Sequence, residues 1–380
     1  MLRFFAASPR GIEHCTALEL EAIGAKNVIE GHGGVHFEGD MPLLYRANLC
    51  LRTATRVELF LREFAAADKV MLYDQVHRMK WEKYIPAGGT MAVYCDIGAR
   101  IQGKGIDHTG YAALKIKDAV VDRIRDETGS RPDVDKKEPD VLVHGFFNGT
   151  RCTLGLDSSD PGLHERGYRK ADTGAPLKET LAAALVDLSG WDGVVPLIDP
   201  MCGSGTLVIE AAMKALGIAP GLKRKRFGFM HWPEFDRNAW AEELSQARSL
   251  VKKPVKPFIF AYDIDPNAVE IARANAKSAG VADAITFNCQ PFDALLPVEG
   301  LPPGVILTNP PYGKRVAVDA GLSALYKMMG DTFKHKMKGW TAFLFTGNLE
   351  MAKHVGLRTS KRIELMNGPI ECRLLRYEMF

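Results

Sequence analysis

Four consecutive residues carry the most specific chemistry in the chain. They are Asn309-Pro310-Pro311-Tyr312, directly after the apolar run Gly304–Thr308. Two adjacent prolines remove two backbone N–H donors and fix the backbone. The loop is left with acceptors, the Asn309 side-chain oxygen and the Pro310 carbonyl, and with the Tyr312 ring beside them. An exocyclic amino group of adenine or guanine is a poor nucleophile, because its lone pair is delocalised into the ring. Two acceptors on its N–H groups would localise that lone pair and aim it at an electrophilic carbon, by orientation and preorganised electrostatics. A tyrosine can stack on a base drawn out of its helix, a contact worth ~1–3 kcal/mol. Asn309, Pro310 and Tyr312 are therefore the candidate catalytic residues. The competing reading is a rigid polar turn, since proline also occurs in ordinary turns after strands.

Such a loop needs a donor. Residues 197–206 read Leu-Ile-Asp-Pro-Met-Cys-Gly-Ser-Gly-Thr, a buried strand ending at Asp199, a glycine-bearing turn and a helix beginning at Thr206. Gly203 and Gly205 let the backbone pass close to a ligand. The helix N-terminus offers free N–H groups and partial positive charge. The spacing is not that of a dinucleotide fingerprint. A ligand with both a carboxylate and an amino group fits better, and the methionine end of S-adenosylmethionine has both. Asp199 would face the amino group, with Pro200, Cys202, Gly203, Gly205 and Thr206 completing the cofactor loop. Asp263, at the end of the next strand, would accept two ribose hydroxyls. Asp265 precedes Pro266 and caps the following helix instead. Phe292 and Asp293, after a third strand, would bracket the adenine. A lone glycine turn would more simply be a tight strand–helix connection; the acidic residue at the second strand end favours a cofactor.

Other chemistries lack their residues. Methylation at cytosine C5 needs a thiolate, and no cysteine lies near residue 309 in the sequence. No Ser-His-Asp pattern is evident, and the ten histidines show no metal-ligand spacing, so no metal is expected.

The elements that must position these residues are legible from about residue 165 onward. Strand 196–199, helix 206–216, strand 258–262, helix 266–279, strand 284–288 and strand 304–308 alternate, and Pro176 stands where a helix would open. The alternation predicts a doubly wound parallel α/β sheet with its ligand at the carboxyl ends of the strands. Runs 361–366 and 371–378 flank Asn367-Gly368-Pro369 and predict a closing antiparallel pair. Upstream, residues 1–55 contain a strand at 2–7, a helix at 12–23 that ends at Gly24, and a strand at 33–38, too little for an independent domain. Residues 56–160 read as mixed α and β. They hold a strand at 90–96, an amphipathic helix at 111–127 with Arg123 a misfit on its apolar face, a polar loop at 132–139, and a hairpin turning at Asn148-Gly149.

The bulk numbers bound the class. The 380 residues, 46% hydrophobic and 25% charged, suit an ordered globular chain of two or three domains. A net charge of +3 permits nucleic-acid binding without requiring it. Seven scattered cysteines, none at a Cys-x-x-Cys spacing, argue against a disulfide framework and for a reducing compartment. Neither a signal peptide nor an apolar run approaching the ~18 residues of a membrane span is present. A cytoplasmic protein with no membrane partner is expected. The densest basic run, Lys223-Arg224-Lys225-Arg226, precedes Phe227, Phe229 and Trp232. Two readings stand level: a segment that holds phosphates and stacks on bases, or a solvated loop whose aromatics pack on the domain. Arg100, Lys104, His108, Lys115 and Lys117 form either a second basic face or an ordinary solvated helix face.

Three stretches add a resemblance. Arg166-Gly167-Tyr168-Arg169, residues 175–184 (APLKETLAAA) and Asp199-Pro200-Met201-Cys202-Gly203-Ser204-Gly205-Thr206 resemble the bacterial RlmL family of 23S rRNA guanine-N2 methyltransferases, as do Ala6–Glu21 and Gly33–Asp40. The resemblance covers essentially the whole chain, against the RlmL half of the long fused RlmKL enzymes. It implies a ferredoxin-like segment at 1–55, a THUMP RNA-binding domain at 56–160, and a class I, Rossmann-like methyltransferase domain with a seven-stranded sheet at 161–380. It further implies S-adenosylmethionine as cofactor and N2-methylguanine in domain V as product, with naked 23S rRNA or a large-subunit assembly intermediate as the RNA partner. Cofactor roles then fall to Asp199, Gly203, Gly205, Asp263 and Asp293, and catalytic roles to Asn309, Pro310 and Tyr312. Two departures stand out. The chain ends at Phe380, without the second methyltransferase of the fused enzymes, and Lys314-Arg315 stands where the family often has Glu-Arg. Rival readings remain: guanine N2 in tRNA, adenine N6 in DNA, which the N-terminal RNA-binding region disfavours, and a non-catalytic RNA-binding assembly factor, which the intact motifs disfavour. The oligomeric state is not legible.

Overall fold

The computed structural model describes residues 1–86, 88–98, 106–172, 174, 177–253, 258–313 and 320–380. Pro176, Arg100, Lys104, Lys314 and Arg315 lie outside the described residues.

The first 157 residues build one eight-stranded sheet. Its strands are β1 (Leu2–Ala7), β2 (Lys26–Gly31), β3 (Gly34–Gly39), β4 (Arg56–Ala65), β5 (Thr90–Ile97), β6 (Asp133–Val134), β7 (Val141–Asn148) and β8 (Arg151–Asp157), in the order β2-β3-β1-β4-β8-β7-β5-β6. The two N-terminal segments meet where β1 pairs antiparallel with β4, Phe4 opposite Leu59. The helices are α1 (Glu13–Ala22), α2 (Met41–Cys50), α3 (Lys69–His77) and α4 (Thr109–Thr128). In α4, Ala112, Ile116, Ala119, Val120 and Ile124 are buried as the periodicity requires. The misfit Arg123 lies at the edge of that face, paired with Glu82 at 3.1 Å and Glu127 at 2.9 Å. Gly149 turns the β7–β8 hairpin at φ 63°.

The second half is a seven-stranded sheet flanked by helices. Its strands are β9 (Leu197–Asp199), β10 (Ile259–Asp263), β11 (Ile285–Cys289), β12 (Val305–Thr308), β13 (Thr341–Thr346), β14 (Lys361–Asn367) and β15 (Ile370–Glu378), in the order β11-β10-β9-β12-β13-β15-β14. The first five in that order are parallel, and β15 runs antiparallel to β13 and β14. The helices are α5 (Glu179–Leu188), α6 (Thr206–Ala215), α7 (Arg237–Ser249), α8 (Pro266–Ala279), α9 (Ala320–Lys336) and α10 (Leu349–Lys353). One apolar layer joins α5, α6 and α8 to the sheet, and another joins α9 to its opposite face.

The segment after α6 decides one question left open by the sequence. Phe227 and Phe229 are fully buried and Trp232 nearly so, inside the apolar core of the N-terminal half. Phe229 lies 4.7 Å from Tyr45 on α2. Arg224 donates to the carbonyls of Gly162, Glu165, Ser159 and Pro161, and Arg226 pairs with Asp160 at 3.5 Å. The base-stacking reading of this run is therefore corrected. A buried aromatic ring cannot stack on RNA, and both terminal nitrogens of the Arg224 guanidinium are turned to the protein's own carbonyls. Only Lys223 and Lys225 remain exposed. In the N-terminal half, His108 is occupied as the cap of α4, accepting from the Tyr111 N–H at 3.0 Å, and Lys117 pairs with Asp118 at 2.8 Å.

The α9 layer admits no larger residue at Gly330, where an added Cβ would sit 1.8 Å from the Val355 carbonyl oxygen. Alanine would gain ~1 kcal/mol of helix propensity but must move backbone, at ~1–3 kcal/mol or more. Gly330→Ala is expected to lower the urea midpoint; an unchanged or raised midpoint contradicts this packing.

Candidate active site

The site grows from β9, the strand where the sheet order reverses, with parallel neighbours β10 and β12. Ala261 of β10 pairs with Asp199, and Ile306 of β12 with Ile198, so the loops after all three strands emerge side by side. Asp199 is 1% exposed. Its Oδ1 accepts the Met201 N–H at 3.2 Å, and the Thr308 hydroxyl faces the carboxylate from the end of β12. Burial dominates and pushes the carboxyl pKa up to about 7; the nearby Asp263 charge pushes the same way, while Met201 and Thr308 oppose them. A buried acid in this state favours a cationic partner.

Asp263 ties the first two strand ends together. Its Oδ2 accepts the Gly203 N–H at 2.9 Å and its Oδ1 the Asp265 N–H at 3.0 Å. Each oxygen keeps a further lone pair, and the carboxylate is half-buried. Asp265 caps α8 as expected, accepting the Asn267 N–H at 2.9 Å. The glycine turn is closed by Cys202 N–H to the Tyr262 carbonyl at 2.9 Å and by Gly205 N–H to the Cys202 carbonyl at 2.8 Å. Gly203 and Gly205 have φ of 51° and 84°, the left-handed region. At Gly205 the space is set by the fold itself: a Cβ would lie 2.9 Å from the Ala272 Cβ on α8. Pro200 is buried, and the buried Cys202 thiol has its pKa pushed far up, mainly by burial, so it is no nucleophile.

Arg169 and Asn275 have no role assigned from the sequence, yet they hold this turn. Arg169 donates to the Ser204 and Thr206 hydroxyls at 3.2 Å each and to Glu179 at 2.9 Å. Asn275 donates to the Ser204 carbonyl at 3.1 Å. Both act across long sequence separations, which no local pattern reports. Phe292 and Asp293 follow β11 on the same edge. Phe292 turns inward, 5% exposed and edge-on to Phe333, while Asp293 is exposed.

The Asn309–Tyr312 loop leaves β12 beside Asp199. Asn309 is half-buried, and its Oδ1 has no hydrogen-bond partner among the described residues although that atom is buried. An unsatisfied buried acceptor costs ~1–3 kcal/mol, a cost that a donor arriving from a bound molecule would remove. Pro310 is buried, and the Pro311 carbonyl accepts the Tyr326 hydroxyl at 3.3 Å. Tyr312 is half-buried, its hydroxyl accepting from Asn367 at 2.7 Å and its carbonyl from Asn348 at 3.2 Å. Among the described residues no group of three or more His, Cys, Asp or Glu could hold a metal ion.

A family described as the RMKL-like methyltransferase domain matches residues 166–376. The chain belongs to this RMKL-like methyltransferase family. An RlmL ferredoxin-like domain matches residues 3–58 and a THUMP domain residues 66–157. The chain is 41% identical to a ribosomal RNA large subunit methyltransferase K/L of Syntrophotalea carbinolica, over 100% of this chain and 54% of that protein. It thus spans about half the length of that relative. It is 37% identical to a putative RNA methyltransferase of Synechocystis, over 99% and 97% of the two chains. Two solved structures are similar over 100% of this chain and 98% of theirs: a putative methyltransferase complexed with SAH, at 29% identity and a TM-score of 0.89, and a possible methylase from Clostridium difficile 630, at 30% and 0.90. The α/β, class I methyltransferase architecture behind a THUMP region is thereby shared with methyltransferases of known structure. No helix among the described residues is long and apolar enough to cross a membrane.

The raised pKa of Asp199 has a stability consequence. Between about pH 4 and 7 the native carboxyl holds a proton that the unfolded one has lost, so its contribution to stability falls as pH rises through that window. The stability of Asp199→Asn relative to the wild type is expected to rise from pH 4 to pH 7 and then level off, by urea unfolding across pH. A difference that is flat with pH contradicts the shift.

Proposed function

We propose that this RMKL-like protein is an S-adenosylmethionine-dependent RNA methyltransferase that forms N2-methylguanosine in 23S rRNA of the large ribosomal subunit. The orphaned Asn309 Oδ1 carries the reading: a buried acceptor without a partner, beside the carboxyl of Asp199. The THUMP match and the rRNA and RNA methyltransferase names of the relatives support RNA as the substrate class.

The cofactor fits the residues present. When bound, S-adenosylmethionine supplies a methyl group made electrophilic by its sulfonium. Asp199 meets the cationic amino group, which draws its carboxyl into the charged form. The spare lone pairs of Asp263 accept the ribose hydroxyls. Pro200, Cys202, Gly203, Gly205 and Thr206 would hold the methionine end, and exposed Asp293, next to buried Phe292, would meet the adenine. Asn309 Oδ1 and the Pro310 carbonyl accept the two N–H groups of the exocyclic amine, fixing its lone pair toward the methyl. As the nitrogen–carbon bond formed, the methyl's carbon–sulfur bond would break with its electron pair leaving on the thioether of S-adenosylhomocysteine, and the same two acceptors would stabilise the transient positive charge on nitrogen until its surplus proton passed to water. Tyr312 supplies the face on which the displaced base stacks.

Labelled S-adenosylmethionine, incubated with the purified protein and RNA from cells lacking the gene, tests this reading. The expected label lies in large-subunit rRNA, reduced at least ~100-fold in Asn309→Ala, which should still bind S-adenosylhomocysteine. Label confined to tRNA or DNA overturns the rRNA reading. Cofactor binding without transfer to any acceptor supports the non-catalytic assembly factor.

A further inference from the structure

Tyr312 is held from a part of the sheet remote from the cofactor turn. Its carbonyl accepts Asn348 Nδ2 at 3.2 Å. The Asn348 amide cannot turn round without loss, because its Oδ1 caps α10 by accepting the Met351 N–H at 3.1 Å. The Asn348 N–H in turn donates to the Thr346 hydroxyl at 3.1 Å, which is hydrogen-bonded to the Tyr326 hydroxyl at 2.9 Å. Tyr326 reaches the same loop through the Pro311 carbonyl. At the other end of the side chain, the Tyr312 hydroxyl accepts Asn367 Nδ2 at 2.7 Å and also meets the Cys372 thiol. The ring crosses Gly347, where an added Cβ would lie 3.2 Å from Tyr312 Cδ2, 3.2 Å from Cys372 Sγ and 2.9 Å from Ile370. Asn367 ends β14, the edge strand of the sheet, four places from β9 in the strand order.

We propose that Asn367 and Asn348 are positioning residues for methyl transfer, holding the Tyr312 ring and carbonyl so that the displaced base meets Asn309 in register. The proposal rests on the catalytic reading of the Asn309–Tyr312 loop given above. Neither asparagine touches the reacting atoms. Asn367 acts through the Tyr312 hydroxyl, and Asn348 through its carbonyl. A ring free to turn about its side-chain torsions would carry the base off the line between the amine and the methyl, and small misplacements of this kind cost large factors in rate.

The test is a double-mutant cycle on single-turnover methyl transfer, with Asn367→Ala and Tyr312→Phe made singly and together. The acceptor is total RNA from cells lacking the gene, or genomic DNA if the wild type labels that instead. Each single variant is expected to lose about tenfold in the transfer rate, and the double variant no more than the worse single, because both remove the same hydrogen bond. S-adenosylhomocysteine affinity should be unchanged. Asn367→Asp, whose carboxylate accepts the Tyr312 hydroxyl proton, should recover most of the rate. Independent, multiplying losses, or failure of Asn367→Asp to recover while the protein stays folded by thermal melting, overturn the proposal. A wild type that labels neither acceptor overturns both this proposal and the reading beneath it.

Discussion

The buried carboxyl of Asp199 is the constraint around which the catalytic edge is arranged. Taking a carboxylate out of water is expensive unless hydrogen bonds and charge offset it. Here the offset is partial: the Met201 N–H donates to the carboxylate, the nearby Thr308 hydroxyl lowers the pKa, and burial still pushes it up to about 7. That state persists because the strand register leaves Asp199 no alternative: β9 lies between β10 and β12, and its last residue is covered by the turns that follow all three. Asp263 then fastens Gly203 to the end of β10, and Arg169 fastens Ser204 and Thr206. The same crowded strand ends bring Asn309 alongside.

The two halves of the chain are interlocked rather than merely linked. Phe227 and Phe229, from the segment after α6, complete the core of the N-terminal half. In the other direction, Arg52 reaches the Ile218 carbonyl at 2.7 Å, next to half-buried Glu19, whose carboxyl pKa is pushed up to about 7, mainly by burial. Arg166, almost fully buried, donates to the Arg52 carbonyl across the same seam and approaches the equally buried Glu210 to 3.6 Å behind it. Buried ionic groups of this kind add little net stability, and removing one partner is far more damaging than removing both. Their effect is to fix one relative placement of the THUMP region and the methyltransferase sheet.

Much of this was legible in the sequence, and the reasons differ by element. The parallel core from β9 to β12 announced itself through strand–helix alternation, and the capping residue Asp265 and the Asn148-Gly149 turn through local chemistry that needs no tertiary context. The motif residues at 199–206, 263 and 309–312 stood out because their types are unusual at strand ends. Elements whose pattern is weak escaped: α2, α7 and β13 take their stability from partners distant in the chain. The clamps on the site escaped for the same reason. Asn348 and Asn367 carry no signature of their own, and Arg169 works 35 residues from Ser204. The basic-aromatic run 223–232 left two readings level, and the structure bears out the one in which its aromatics pack inward. Its composition suits RNA, but burial decides between a stacking platform and a core, and composition does not encode burial.

The most direct test of the central claim is the identity of the methylated nucleoside, by digestion of the labelled RNA and mass spectrometry. An acceptor loop built from Asn309 and Pro310 predicts methylation on an exocyclic nitrogen, as N2-methylguanosine. Methyl on a ring atom or a ribose hydroxyl, such as 7-methylguanosine, 5-methylcytidine or a 2′-O-methyl nucleoside, would contradict it.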